Sequence, residues 1–380
     1  MKYAGIFLAL LICLSGCAAA PAETTAPTEA PTTIPTAAAT EPPTTVPPDP
    51  VEELLSAMTM EEKVGQLFLA RCPDGNAIED IAAYHLGGYI LFDRDVRGET
   101  RESFTEKVAG YQAVSKIPML IAVDEEGGTV CRLSSYTAFR YAPFPSPRSL
   151  YESRGLEVAL SVELEKAYFL HELGVNVNMA PVCDVTTQRG AFMYSRSLGQ
   201  SPEITGEFVA GAVTRMAKFQ VGSVLKHFPG YGNNTDTHTG IATDWRSLEE
   251  LESVDLVPFA AGIEAGCGAV MVSHTIVTAF DSELPATLSP AVHSYLREEM
   301  GFEGVIVTDD LVMGAITETY GADEAAVLAV LAGNDLLCST EYQVQYQAVL
   351  EAVQDGRISM ELLDEAVLRI LNWKMELGLI

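Results

Sequence analysis

Residues 225 to 240 read LKHFPGYGNNTDTHTG and gather Lys226, His227, Asp236 and His238 on a stretch too rich in Gly, Pro and Asn to form a helix. Other titratable groups follow short apolar runs: Asp124 after PMLIAV, Asp184 after VNVNMAPV, His274 after AVMVS, and Asp309 with Asp310 after GVIVT. Two chemistries suit such a set. His227, Asp236, His238, His274 and Asp309 supply the donor types of a zinc hydrolase. Against that, no HxH or HExxH spacing occurs, and Lys226 beside His227 would set an ammonium next to the metal. The second chemistry is glycoside hydrolysis by a nucleophile and a proton donor. A rigidly held Asp at a strand tip suits the first role. Histidine suits the second, because it exchanges a proton near neutral pH without being buried. Asp236 lies two residues before His238, so on an extended segment both side chains point the same way. The carboxylate then orients the imidazole and favours its cationic form.

Groups so far apart in the chain need a scaffold whose strand ends converge. The apolar runs YILF (89–92), PMLIAV (118–123), VNVNMAPV (175–182), GSVL (222–225), AVMVS (269–273), GVIVT (304–308) and NDLLC (334–338) alternate with amphipathic stretches such as TGEFVAGAVTRMAKFQ and SPAVHSYLREEM. Continuous apolar runs separated by helices indicate parallel strands covered on their faces. Seven of them in residues 51–380 predict an α/β fold, a (β/α)8 TIM-type barrel forming one catalytic domain. A doubly wound open sheet is the competing arrangement. Thr59-Met60-Glu61-Glu62 forms a capping box that opens a helix, EEKVGQLFLA. Each strand should place its titratable group just past its C-terminal tip, the face that carries the site in such barrels. One Asp after a strand is commonly a helix cap; five strands doing so together is not explained by caps. Residues 226–240 are then the loop after GSVL, free to fold over the mouth.

The N-terminus, MKYAGIFLALLICLSGC, has a basic start and an apolar run too short to span a bilayer, so residues 1–17 read as a signal peptide. Its LSGC ending resembles the bacterial lipobox, which makes Cys17 the expected lipidation site and the outer face of a bacterial membrane the expected location. Residues 18–50, almost wholly Ala, Thr, Pro and Glu, cannot bury a core and read as an extended tether. A net charge of −29 argues against a nucleic-acid partner. Five cysteines follow Cys17, namely Cys72, Cys131, Cys183, Cys267 and Cys338; odd in number and without a CxxC, they read as buried free thiols.

Six segments then carry a family likeness: VDEEGGTVCRL (123–133), ELGVNVNMAPVCDV (172–185), SRSLG (195–199), KHFPGYGNNTDTH (226–238), LPATLSP (284–290) and GFEGVIVTDDLVMGAI (301–316). In this order they resemble the single-domain bacterial β-N-acetylglucosaminidases of glycoside hydrolase family 3. The resemblance implies a TIM-type barrel and a retaining double displacement through a covalent glycosyl-enzyme, with no cofactor or metal. It implies that Asp309 is the nucleophile and His238 the acid/base, supported by Asp236. Asp124, Arg132, Arg196, Lys226 and His227 would bind the sugar, with Asp184 and His274 supporting them from behind. The substrate would be an N-acetylglucosamine-containing glycan, muropeptide or chitin-type, cut from its end by a monomeric enzyme. A β-glucosidase or a glycoside phosphorylase of the same family, or an inactive sugar-binding lipoprotein, are the alternatives. TTQRGAFMYSRSLG after Asp184 and TGIATDW beyond the Asp-His pair depart from the family pattern.

Overall fold

The computed structural model describes residues 49–232 and 241–380. The signal peptide with Cys17, the tether up to residue 48, and both Asp236 and His238 lie outside the described residues. Pro50, assigned above to the tether, is helical: the helix Pro50–Ala57 is capped by the Asp49 carboxylate, which accepts from the Val51 N–H.

Eight strands form one parallel sheet: β1 (Phe68–Arg71), β2 (Gly88–Leu91), β3 (Leu120–Val123), β4 (Val177–Asn178), β5 (Gly222–Phe228), β6 (Ala269–Val272), β7 (Val305–Thr308) and β8 (Leu337–Ser339). Sequence neighbours pair from β1 through β7, and β8 returns to pair with β1. A parallel bridge from Val307 to Leu336 brings the two ends together, giving a nearly closed barrel. The apolar runs form strands because they are buried on both faces. Every residue of GYIL, LIAV, AVMV and VIVT is inside, so no polar alternation is needed. Helices such as Pro202–Ala217, capped by Ser201 with Pro202 in its first turn, cover the outside.

Three expectations need correction. The capping box at Thr59 is present, but its helix stops at Gln66, and FLAR forms β1, the strand missing from the seven apolar runs, rather than helix. A four-residue apolar run cannot be told from a helix tail by period alone; pairing with β2 and β8 decides it. The strand expected to end at Leu225 runs on through Phe228, so Lys226 and His227 stand on β5 itself, and their side chains are buried. VNVNMAPV contributes only Val177 and Asn178 as strand, and Asp184 lies six residues beyond. The five thiols are free, as expected, although Cys131 is only half-buried.

The opposite end of the barrel is stopped by the C-terminal helix Met360–Glu376, which Ser359 caps. Its Trp373 packs so closely on Gly222 and Gly268 that a Cβ at Gly268 would overlap the indole. The neighbouring Lys374 is fully buried, with the Gln66 side-chain oxygen 2.7 Å from its Nζ. One end is thus packed shut, and the strand C-termini are left to form a cavity.

Candidate active site

The short segment after β3 organises one side of that cavity. Asn178 on β4 receives the Glu125 N–H on its side-chain oxygen at 3.0 Å and donates to the Glu125 carbonyl at 3.2 Å. The Glu125 carboxylate is turned inward and accepts from the N–H groups of Arg132, Leu133 and Ser134 and from the Ser134 hydroxyl. This ties down the hairpin that carries Arg132. The turn needs glycine: Gly127 and Gly128 both have positive φ, and a Cβ on Gly127 would strike the Pro145 carbonyl.

Asp124 and Glu126, two residues apart, reach the same cations. Lys226 Nζ lies 2.7 Å from Asp124 Oδ1 and 2.7 Å from Glu126 Oε1. Arg196 grips Glu126 with both arms of its guanidinium, at 2.9 and 2.6 Å, the strongest geometry for such a pair. Arg132 reaches Asp124 at 3.3 Å. Burial pushes the Glu126 carboxyl up, but Lys226 and Arg196 outweigh it and hold the group well below the usual carboxylate range. Burial likewise pushes the Lys226 ammonium down, and the two carboxylates reverse the shift, leaving it raised.

His227 is fixed from behind. Arg196 can only donate, so at 3.3 Å the His227 Nε2 accepts, and Nδ1 carries the proton donated to Asp184 at 2.8 Å. Asp184 also accepts the backbone N–H groups of His227 and Tyr231. Tyr231 itself is buried, edge-on to the His227 ring, so it packs under the site rather than facing a ligand.

Across the cavity, β7 ends in two adjacent carboxylates that differ sharply in their partners. Asp310 is fully engaged: Oδ1 accepts from Val312 and Thr340 N–H, and Oδ2 from the Thr340 hydroxyl at 2.6 Å. Burial pushes its carboxyl up. Asp309 accepts one bond, from the Asp310 N–H at 2.8 Å, and its other oxygen has no donor among the described residues. Burial would raise the Asp309 carboxyl, but His274, His227, that N–H and Lys226 together hold it below its ordinary value. His274 is buried and donates from Nε2 to the Asp310 carbonyl at 3.0 Å.

Asp124, Arg132, Arg196, Lys226, His227 and Asp309 therefore line one cavity of about 590 Å³, and Asp184 and His274 stand behind it. An anion with a free oxygen faces a dense array of donors, as a two-group hydrolase of a polyhydroxylated substrate requires. The ammonium of Lys226 sits between Asp124 and Glu126. Among the described residues no group of three or more His, Cys, Asp or Glu is placed to hold a metal ion. Three residues escaped the sequence reading. Glu126 was hidden in the Glu-Glu pair of the first motif, although its spacing of two from Asp124 puts both on one face. Arg71 and Phe92 also line the cavity; Arg71 would have fitted the strand-tip pattern had FLAR been read as a strand.

Comparison with known proteins agrees with this geometry. Residues 59–373 match the glycosyl hydrolase family 3 N terminal domain. A beta-hexosaminidase of Xylella fastidiosa is 35% identical over 264 residues, which are 67% of this chain and 77% of that one. Beta-hexosaminidase A of Pseudoalteromonas piscicida is 31% identical over 327 residues, 79% of this chain but only 55% of the relative. Among solved structures, a glycoside hydrolase family 3 beta-N-acetylglucosaminidase from Paenibacillus sp. str. FPU-7 superposes with a TM-score of 0.80 at 34% identity, covering 85% of this chain and 63% of that one. The chain thus spans between about half and three quarters of the length of these relatives.

Proposed function

The chain belongs to glycosyl hydrolase family 3, and from that premise we propose that it releases terminal β-linked N-acetylglucosamine from muropeptide or chitin-type oligosaccharides by a retaining double displacement. The observation that carries the reading is the contrast at the end of β7. Asp310 has both oxygens occupied, while Asp309 keeps one oxygen free and its carboxyl ionised. A nucleophile must be anionic and unencumbered at neutral pH. In the first step the free Asp309 oxygen bonds to the anomeric carbon as the glycosidic bond breaks, and the departing oxygen takes a proton. His238, oriented by Asp236, is the proposed donor. In the second step water attacks the same carbon, His238 takes its proton, and Asp309 leaves as carboxylate.

The Asp124, Lys226, Arg196 and His227 cluster holds the sugar's hydroxyls. It is already cross-linked by ion pairs before a substrate arrives, so little ordering remains to be done on binding. The names of the relatives, beta-hexosaminidase and beta-N-acetylglucosaminidase, support the choice of sugar. A panel of aryl β-glycosides tests it. The N-acetylglucosaminide should turn over far faster than the glucoside or xyloside, with β-N-acetylglucosamine as the first-formed product. Preference for the glucoside, or an inverted α-product, refutes the reading.

The LSGC sequence followed by the Pro/Thr tether supports a lipid anchor at Cys17 on the outer face of a membrane. Wild type should then partition with membranes and Cys17→Ala should not; wild type found wholly in the medium overturns the anchor.

A further inference from the structure

The segment LPATLSP (284–290) brings Thr287 up behind the site. Thr287 is fully buried and its backbone is fixed on both sides: its N–H donates to the Ser273 carbonyl at 3.0 Å, and its own carbonyl accepts from the Asn334 amide at 2.8 Å. Its hydroxyl oxygen stands 2.6 Å from the Ser273 carbonyl oxygen, 3.1 Å from that of Val272 and 2.8 Å from His274 Nδ1. Carbonyl oxygens only accept, and two oxygens come to 2.6 Å with a hydrogen between them. The single hydroxyl proton therefore points to Ser273, and the bond to Nδ1 takes its hydrogen from the ring. On the ring's other side Nε2 lies 3.0 Å from the Asp310 carbonyl, which also only accepts. Both nitrogens of His274 are then donors, and an imidazole with two N–H groups is a cation. His227 is the opposite case: Arg196 donates to its Nε2, so that ring carries one proton, on Nδ1 toward Asp184, and is neutral.

His274 is fully buried, and a buried cation is costly unless an opposite charge answers it. Asp309 supplies that charge. Burial would raise its carboxyl, and His274 leads the groups that reverse this. With His227 neutral, the cations that act on Asp309 are His274 after β6 and Lys226 on β5. The Asp310 carboxylate acts on it with the opposite sign, and Cys338 on β8 adjoins both, its thiol kept protonated by burial. Arg71, Arg132 and Arg196 line the same cavity and keep their charge at every working pH.

We propose that His274 is a fixed imidazolium, held in that state by Thr287 and the Asp310 carbonyl, and that it acts through Asp309 as a positioning residue for the nucleophile's charge. This rests on the retaining N-acetylglucosaminidase reading and adds a residue to its mechanism. In the free enzyme the imidazolium keeps Asp309 anionic. Once Asp309 has become the glycosyl ester its charge is gone, the imidazolium stands uncompensated, and return of the carboxylate in the second step is favoured.

Ring nitrogens labelled with ¹⁵N report the proton count of each histidine on the folded protein without any substrate. The His274 signals, identified by their absence in His274→Gln, should be those of two N–H nitrogens and stay unchanged from about pH 5 to about pH 8, the range in which an ordinary histidine titrates. In Thr287→Val, which keeps the shape and removes the acceptor, His274 should lose a proton within that range; in Thr287→Ser, which restores the hydroxyl, it should not. The second reading is the pH dependence of kcat/KM on an aryl N-acetylglucosaminide, whose acid limb reports the free nucleophile. An opposite charge at close range lowers a carboxyl by about 1–3 units, so losing it should move the limb up by that much in His274→Gln and Thr287→Val and leave it in place in Thr287→Ser. A purely structural role would lower the rate at every pH without moving the limb. A bare ring nitrogen on wild-type His274 at neutral pH, or a limb that stays in place in both variants, overturns the proposal. If wild type does not hydrolyse the aryl N-acetylglucosaminide at all, the proposed activity fails instead, and the nitrogen signals alone decide the state of His274.

Discussion

Replacing Glu126 by Gln keeps the shape of the side chain and removes the charge that couples two cations. In the native protein this carboxylate is almost fully buried, receives both arms of Arg196 and sits 2.7 Å from Lys226. Removing one partner of a buried ion pair costs about 3–5 kcal/mol, because the remaining charge is stranded. Asp124 remains for Lys226, but Arg196 loses its charged, two-oxygen partner and keeps at most the amide oxygen beside His227 Nε2 and the Met193 sulfur. Domains are stable by about 5–15 kcal/mol, so Glu126→Gln should still fold, with its urea midpoint at pH 7 lowered by that loss. The stabilisation also carries a pH signature. The folded carboxyl lies below its unfolded value near 4.5, so the unfolded chain binds the proton first as pH falls. The stability conferred by Glu126 is therefore complete above about pH 5 and is lost progressively below about pH 4. The gap between wild type and Glu126→Gln, measured by urea unfolding at pH 7, 5 and 3.5, should be constant between the first two and shrink at the third. Because Lys226 and Arg196 lose their shared anchor, kcat/KM should fall on every substrate by about 10²-fold, the cost of misplacing groups that orient a substrate. A variant within 1 kcal/mol of wild type at all three pH values, with unchanged kcat/KM, would refute the coupling.

Asp309→Ala should abolish turnover of natural and activated aryl glycosides alike, whereas Asp310→Asn should leave measurable activity but lower the thermal midpoint by taking away one of the two acceptor oxygens shared by Val312 and Thr340; steady-state kinetics and calorimetry on both variants decide the assignment. His238→Ala should lose about 10²–10⁴-fold on a poor leaving group and much less on a nitrophenolate, with Asp236→Asn in between; equal losses on both remove His238 from the acid role. Burial pushes the Lys374 ammonium down to about 7, so between there and its unfolded value the unfolded chain holds more protons and stability rises with pH. Wild type should gain about 4 kcal/mol from pH 7 to pH 10 relative to Lys374→Met, and parallel urea curves for the two would show that the amine is not buried neutral.

How much could be read in advance depended on whether partners lie close in the chain. The barrel was legible because a strand buried on both faces must be apolar throughout, and runs such as LIAV and VIVT carry that requirement in their own residues. FLAR failed the same reading because it follows a helix without a break, and only its pairing with β2 and β8 makes it a strand. The site residues of the six segments were legible as types and positions: Asp124, Arg132, Arg196, Lys226, His227 and Asp309 meet at one cavity.

What each group does there was decided by distant contacts. Glu125 and Glu126 are identical in the sequence, yet one turns inward to three N–H groups of its own hairpin while the other meets Lys226 and Arg196, 100 and 70 residues away. Asp309 and Asp310 are likewise indistinguishable until Thr340, just past the C-terminal end of β8, occupies the second and leaves the first free. Local pattern by itself determined which apolar runs lie inside as strands, because burial on both faces must be met by each residue of the run. Which carboxylate is free and which is paired was decided only by the closed barrel, since the fate of a charge depends on the nearest opposite charge and on the water removed around both.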